Sequence, residues 1–172
     1  MSGMWPGRTK CVAMLTFDMD GASGMLRREP SVAKRPSVMS MGDFGPEVGT
    51  PRILDLLAHH GVPSTFFVPG WIAERHPGAV RSVFSAGHEI AHHGYLHEAP
   101  ATLSSRAGEA RLLDRGSRAL EKVTGLGCRN VTFLRGDATS LPLADGSVDF
   151  VCCYGDVIGL IPDYATAIAE IA

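Results

Sequence analysis

The chain has 172 residues, of which 45% are hydrophobic and 20% are charged, and its formal net charge is −2. This composition predicts one ordinary globular domain with a core of normal size and excludes a disordered chain. The near balance of 16 basic and 18 acidic side chains excludes nucleic acid and anionic membranes as expected partners, and no apolar run approaches the roughly 20 residues of a membrane span.

The first third of the chain predicts a strand, a loop and a helix. Residues 11–17 are almost continuously apolar, which is typical of a strand buried on both faces. Residues 21–47 show no sustained periodicity, so we expect a long loop with at most a short helix. A helix is predicted to begin at Thr50, with Thr50 as its N-cap and Pro51 after it, and to end at Gly61.

The middle of the chain alternates strands with helices. Ser64–Val68 predicts a buried strand, and Trp71–Phe84 predicts a helix interrupted at Pro77. His88–Ala91 predicts a third strand, and a long helix follows over Leu103–Gly125. Because this order implies parallel strands with right-handed crossovers, we expect an α/β barrel or a layered α/β sheet.

An acidic pair follows the first predicted strand. Asp18 and Asp20 are two residues apart, so both carboxylates face one pocket if the extended geometry continues through them. In parallel α/β folds the functional site lies at the carboxyl ends of the strands. The alternative is an acidic turn that caps a helix or accepts from a backbone amide.

A histidine pair follows the third predicted strand. His93 and His97 are four residues apart, which on a helical turn places both imidazoles on one side, at about the span that chelates one divalent ion. Taken alone, the spacing also fits two solvated loop histidines. Together with the acidic pair, it predicts a catalytic metal site of one carboxylate and two imidazoles, with open positions for water and substrate. The second carboxylate is then free to accept a proton from the metal-bound water.

These segments resemble two motifs of the polysaccharide deacetylase (NodB-homology) family. Thr16–Gly21 (TFDMDG) is similar to the first motif, and His93–His97 (HGYLH) is similar to the second. The resemblance covers roughly residues 8–129 and includes Ser64–Trp71 and Gly87–Glu98. These details are most similar to intracellular peptidoglycan deacetylase-like and cyclic imide hydrolase-like members.

The resemblance implies a fold, a reaction and a set of roles. The implied fold is an irregular parallel (β/α) barrel. The implied reaction is metal-dependent hydrolysis of a non-peptide C–N bond, usually the removal of an N-acetyl group from an amino sugar. By the same resemblance, Asp18 is the general base, and Asp20, His93 and His97 are the ligands of zinc or another divalent ion.

Four further residues are candidates for supporting roles. Trp71 and Tyr95 are candidates for a sugar-binding face, with aromatic core packing as the alternative. His92 is a candidate to shape the pocket, with a half-buried structural histidine as the alternative. Glu98 is a candidate to hold the second ring nitrogen of a ligating imidazole, with a surface salt bridge as the alternative.

The resemblance to the deacetylases ends near Arg129. In the family an Arg-x-Pro element orients the base and a late histidine protonates the leaving amine. Here no Arg-x-Pro follows and no histidine occurs after His97. Residues 130–172 instead resemble the middle of a class I S-adenosylmethionine-dependent methyltransferase, without its glycine-rich turn.

Two regions are therefore expected, a deacetylase-like (β/α) region at residues 1–129 and a methyltransferase-like fragment at residues 130–172, joined by fusion or truncation. The fold class is then α/β, a partial parallel barrel of the deacetylase type that is incomplete at the C-terminus. Its activity would be impaired by the loss of the C-terminal motifs. Because an incomplete barrel exposes sheet edges, self-association into a homo-oligomer is also expected.

Several functions stay open at this point. The leading one is a polysaccharide or peptidoglycan N-deacetylase acting on N-acetylated sugars. Within the same fold, a cyclic imide or ureide amidohydrolase acting on a small amide or imide is the alternative. The absent arginine and histidine favour an inactive carbohydrate- or metal-binding remnant, and a methyltransferase is the last candidate.

The expected location is the cytoplasm. Residues 1–10 lack the apolar core of a secretory signal. The four cysteines are irregularly spaced and are interpreted as reduced thiols.

Overall fold

A computed structural model of the chain describes residues 13–99 and 102–125. The chain divides into two compact units, Met1–Cys128 and Arg129–Ala172, and all the described residues belong to the first. The methyltransferase-like region predicted at residues 130–172 therefore lies outside the described residues. Within residues 13–99 and 102–125, no helix has the length and apolar character needed to cross a membrane.

In the part of the chain that the structure describes, three short parallel strands form a sheet. They are β1 (Thr16–Asp18), β2 (Thr65–Val68) and β3 (Glu89–His92), in the spatial order β1-β2-β3. The register pairs Asp18 with Phe67 and Val68 with His92, so the carboxyl ends of all three strands lie at one edge of the sheet. Parallel strands separated by helices confirm the predicted α/β class.

Helices precede and follow the second and third strands. In chain order they are α1 (Ser23–Arg28), α2 (Pro36–Phe44), α3 (Thr50–His60), α4 (Gly70–Arg75), α5 (Pro77–Ser85) and α6 (Arg106–Thr124). The left-handed residues Gly61 and Gly125 end α3 and α6, as predicted. The prediction for the N-cap of α3 is wrong: a π-helical turn leads into this helix, so the Thr50 hydroxyl donates to the Gly45 carbonyl at 3.1 Å instead of capping.

The core lies between β2 and helices α3 to α6. Phe66 and Val68 of β2 are fully buried together with Ile72 of α4 and with Val80 of α5. Leu120 brings α6 into the same cluster. Because burying such a side chain is worth about 1.5–3 kcal/mol, this packing fixes the sheet and the edge at which its strands end.

The segment at residues 21–47 is helical, so the predicted long loop is wrong. It contains α1, a 3₁₀ turn over Pro30–Lys34 and α2. Pro30 and Pro36 stand at the first positions of their elements, where the missing N–H costs nothing. Leu26 and Val32 form a small apolar cluster of their own. Each helical piece is at most nine residues long, too short to show a sustained period.

The first strand is shorter and more exposed than predicted. Met14 and Leu15, which precede β1, are 58% and 46% exposed rather than buried on both faces. The physical reason is that, within the described residues, β1 pairs with β2 alone and has no strand along its other edge. Residues 11 and 12 of the predicted strand lie outside the described residues.

Candidate metal centre

The candidate metal ligands lie at the edge where the parallel strands end. Asp18 is the last residue of β1, Asp20 follows two residues later, and His93 comes directly after β3. The N–H groups of Met19 and His93 donate to backbone carbonyls of β2 at 2.9 and 3.2 Å. Both sequence motifs are therefore anchored to the central strand by backbone hydrogen bonds.

Asp20, His93 and His97 form a compact group of potential ligands. Asp20 Oδ1 lies 3.4 Å from His93 Nε2, and Asp20 Oδ2 lies 3.5 Å from His97 Nε2. One ligand atom from each of the three residues lies within 4.8 Å of the others. The two imidazole rings are 4.8 Å apart and nearly perpendicular. The fold thus brings together residues that are more than 70 positions apart in the chain.

The spacing of these atoms fits a shared divalent cation. Two ligands about 2.1 Å from a tetrahedrally coordinated ion are about 3.4 Å apart, whereas N–H···O bonds are usually about 2.9 Å long. Asp20 Oδ1 is buried and accepts no hydrogen bond from the described residues, which is costly for a carboxylate oxygen. A cation between the three side chains would remove that cost, so the residues present fit a metal ion.

Asp18 lies within electrostatic range of this group without being one of its three members. Partial burial raises the pKa of Asp18 above its ordinary value, the neighbouring His93 lowers it, and the Asp20 carboxylate raises it again. A carboxylate with a raised pKa is a stronger base. The position of Asp18 at the end of β1 therefore suits a proton acceptor beside the three-residue group.

His93 is held in the form that can bind a cation. Burial lowers the pKa of His93, and the Asp20 and Asp18 carboxylates act in the opposite direction. With its pKa below the ordinary value, the imidazole is neutral at pH 7. A neutral ring keeps one nitrogen lone pair available for a metal ion.

His92 connects the end of β3 to α6. Its Nδ1 accepts a hydrogen bond from the Gly94 N–H at 3.0 Å, so its Nε2 carries the proton and donates to the Leu113 carbonyl at 3.0 Å. Burial lowers the pKa of His92, which favours this neutral form. Both ring nitrogens are thus bound to backbone groups.

Glu98 binds backbone amides in place of the predicted imidazole nitrogen. One carboxylate oxygen accepts from the Tyr95 N–H and the other from the Leu96 N–H, both at 2.8 Å. These amides belong to the turn between His93 and His97. Glu98 therefore contacts the segment that carries the two histidines rather than either imidazole.

Tyr95 and Trp71, the candidates for a sugar-binding face, are largely occupied by packing. Tyr95 is 6% exposed, and its hydroxyl donates to Glu74 at 2.7 Å. Burial, with the hydrogen bond to Glu74, raises the pKa of Tyr95 to about 12. Trp71 packs against both apolar clusters, and the Arg75 guanidinium lies 5.5 Å from its ring. Trp71 is half-buried, so it is the more exposed of these two residues.

A second group of ligand-type side chains, which no sequence motif marks, consists of Asp43, Glu47 and His76. His76 Nε2 lies 3.0 Å from Asp43 Oδ1, and His76 Nδ1 lies 3.6 Å from Glu47 Oε1. Arg75 donates to both oxygens of Asp43 at 3.0 Å, and this pairing lowers the pKa of Asp43. Because the Arg75 guanidinium already pairs with Asp43, these side chains form a network of ion pairs and hydrogen bonds that joins α2 and the π-helical turn after it to the end of α4.

The family model for polysaccharide deacetylase matches residues 31–139. Since this match covers more than half of the chain, the chain belongs to the polysaccharide deacetylase family, which confirms the predicted family. The matched residues include the second motif, His93–His97. The match continues past residue 129, where the deacetylase-like region was expected to end. Nothing in the matches supports the methyltransferase-like interpretation of residues 130–172.

Two curated relatives are deacetylases. The chain is 33% identical over 108 residues to a peptidoglycan deacetylase from Helicobacter pylori, covering 63% of this chain and 36% of the relative. It is 41% identical over 80 residues to a chitooligosaccharide deacetylase from Sinorhizobium fredii, covering 46% of this chain and 37% of the relative. The chain thus spans little more than a third of the length of these relatives.

Two solved structures share the fold. A Mycobacterium smegmatis protein described as a polysaccharide deacetylase superposes with a TM-score of 0.70 at 46% identity, over 73% of this chain and 44% of that one. The Puue allantoinase superposes with a TM-score of 0.59 at 25% identity, over 72% of this chain and 46% of that one. The described region therefore forms part of a deacetylase-type (β/α) barrel, as predicted.

Proposed function

We propose that the chain is a metal-dependent hydrolase that removes N-acetyl groups from the amino sugars of a polysaccharide such as peptidoglycan or a chitooligosaccharide. The observation that carries this proposal is the convergence of Asp20, His93 and His97 at the carboxyl edge of the sheet. The deacetylase names of the curated relatives support the substrate class.

In this proposal Asp20, His93 and His97 hold a divalent cation, for which zinc suits the two imidazoles and one carboxylate. Such a cation, when bound, supplies Lewis acidity that polarises a carbonyl and lowers the pKa of water toward neutrality. With only three side-chain ligands, such a cation would keep coordination positions open for these groups. His93 contributes as a neutral imidazole because burial lowers its pKa.

Asp18 is the proposed general base. Its carboxylate would take the proton from the attacking water, and the raised pKa strengthens it for this role. Its place at the end of β1 keeps it near Asp20 without using it as a ligand. Asp18→Asn removes the base but keeps the size of the side chain, so it separates proton transfer from metal binding.

The test measures acetate released from N-acetylglucosamine oligomers and from peptidoglycan by the zinc-loaded protein. We expect release by the parent, and we expect Asp18→Asn to lower the rate by about 10²–10⁴-fold while the bound zinc is retained. Equal rates for the parent and Asp18→Asn would refute the role of the base. Zinc binding without any product would favour a carbohydrate- or metal-binding protein.

A ureide or cyclic imide amidohydrolase is the second candidate. The superposition on the Puue allantoinase over 72% of the chain favours it. The same three ligands and the same base serve both reactions, since in each reaction water attacks a carbonyl carbon that is bonded to nitrogen. Ring opening of allantoin or a small cyclic imide, with no release of acetate from sugar oligomers, would establish this candidate over the first.

The proposal also includes a cellular location, an oligomeric state and a domain boundary. A cytoplasmic location and self-association stay predictions from the sequence, as does a domain boundary near residue 129. Light scattering at high protein concentration tests self-association, for which a monomer is the contradicting result. Limited proteolysis with mass spectrometry tests the boundary, where we expect early cleavage.

A further inference from the structure

The turn that carries the two histidines has an unusual backbone. Gly94 and His97 both adopt positive φ angles, of 72° and 56°. Glycine is suited to this conformation, and a Cβ at position 94 would also lie 2.7 Å from a Glu98 oxygen. Histidine populates it sparsely, so surrounding contacts must hold His97 in place.

The flanking side chains bind three consecutive amides of this turn. The Gly94 N–H donates to His92 Nδ1, and the Tyr95 and Leu96 N–H groups donate to the two oxygens of Glu98. His92 and Glu98 stand immediately before His93 and immediately after His97. The turn is thus held from both ends by residues next to the candidate ligands.

The same turn is also bound to the helices behind it. The Gly94 and Tyr95 carbonyls accept hydrogen bonds from the first two amides of α4, those of Gly70 and Trp71, at 3.0 and 2.8 Å. On its other side, His92 donates to a carbonyl of α6. These hydrogen bonds form entirely within the protein, so they need no cation.

We infer that Glu98 is a positioning residue that, with His92, holds His93 and His97 in their ligating arrangement before the cation binds. The inference rests on the proposed function, in which these histidines bind a metal ion. The hydrogen bonds of the folded protein offset the conformational free energy that the positive φ angles of the turn cost. Loss of Glu98 frees two amides and lets the His97 backbone relax, so the cation must then order the turn itself.

The first experiment measures zinc affinity by competition with a chromophoric chelator. Glu98→Ala is expected to weaken zinc binding about 10–100-fold, as loss of a group that orients ligands does. Glu98→Gln keeps one acceptor and is expected to fall between Glu98→Ala and the parent. Glu121→Ala, which removes the same charge from the exposed surface of α6, is the matched control and should bind as the parent does.

Two results of this experiment would overturn the inference. One is a Glu98→Ala affinity within twofold of the parent. The other is equal weakening by Glu98→Ala and Glu98→Gln, because a shared loss would assign the effect to charge rather than to the amide hydrogen bonds.

The second experiment uses the unaltered, metal-free protein and needs no variant to fold. Hydrogen exchange followed by NMR should show slow exchange of the Tyr95 and Leu96 amides before zinc is added. Fast exchange that slows only with zinc would mean that the metal orders the turn, and would overturn the inference. If the parent binds no zinc, the proposed function fails, while this measurement still decides whether the turn is preformed.

Discussion

Gly116 of α6 packs against His92 and against the turn that carries His93 and His97. A Cβ at this position would overlap His92 Nε2 and would lie 2.9 Å from the Gly94 carbonyl oxygen and 3.0 Å from His92 Cε1. These neighbours are backbone and a ring with both nitrogens hydrogen-bonded, so neither yields easily. Gly116→Ala should therefore push α6 away from β3 and break the hydrogen bond from His92 to Leu113.

The expected change in the free energy of unfolding follows from two destabilising effects and one stabilising effect. Overpacking costs about 1–3 kcal/mol, and the lost hydrogen bond costs about 1 kcal/mol. Alanine in a helix interior returns about 1 kcal/mol relative to glycine. The net expectation is a destabilisation of about 1–3 kcal/mol, which lowers Tm by roughly 2–12 °C for a chain of this size.

Thermal and urea unfolding of the metal-free protein measure this effect. The control is Gly78→Ala in α5, where a Cβ meets nothing within 4 Å. This substitution should stabilise the protein by up to about 1 kcal/mol. A Gly116→Ala protein as stable as Gly78→Ala would refute the tight packing of α6 against the turn. The zinc affinity of the Gly116→Ala protein should also fall, because His92 moves with α6.

Two further predictions concern pH and packing. The metal-free protein should lose stability as the pH falls below the ordinary histidine pKa of 6.5, because burial lowers the pKa values of His92 and His93 and the unfolded chain then binds more protons. Urea unfolding at a series of pH values measures this, and constant stability through this range would contradict it. Tyr95→Phe should cost about 0.5–1.5 kcal/mol, since the hydroxyl donates to Glu74. The Tyr95→Phe protein is expected to bind zinc as the parent does in a chelator competition. A large loss of zinc affinity would instead indicate that Tyr95 contributes to the metal centre.

The meeting of the two motifs was predictable because it depends on topology. Alternating strands and helices imply a parallel sheet, and the carboxyl ends of parallel strands meet at one edge. Asp20 follows β1 and His93 follows β3, so their proximity follows from the order of elements. The glycine signals at Gly61 and Gly125 were equally local and identified the ends of α3 and α6.

Features that depend on tertiary contacts could not be predicted in this way. The short helices of residues 21–47 are stabilised by packing of residues such as Leu26 and Val32. The hydrophobic periodicity of the sequence does not indicate this packing. The hydrogen bonds of Glu98 to the turn depend on the φ angles of Gly94 and His97. A glycine inside a long helix, as at position 116, was the available signal for the close approach of α6.

The proposed metal centre requires Asp20, His93 and His97 to hold one divalent cation. X-ray absorption at the zinc edge, on protein loaded with zinc and passed through a desalting column, tests it most directly. We predict one zinc per chain with two imidazole nitrogens and oxygen ligands at about 2.0–2.2 Å, and the loss of one imidazole in His97→Ala. No retained zinc, or a spectrum that His97→Ala leaves unchanged, would contradict the claim.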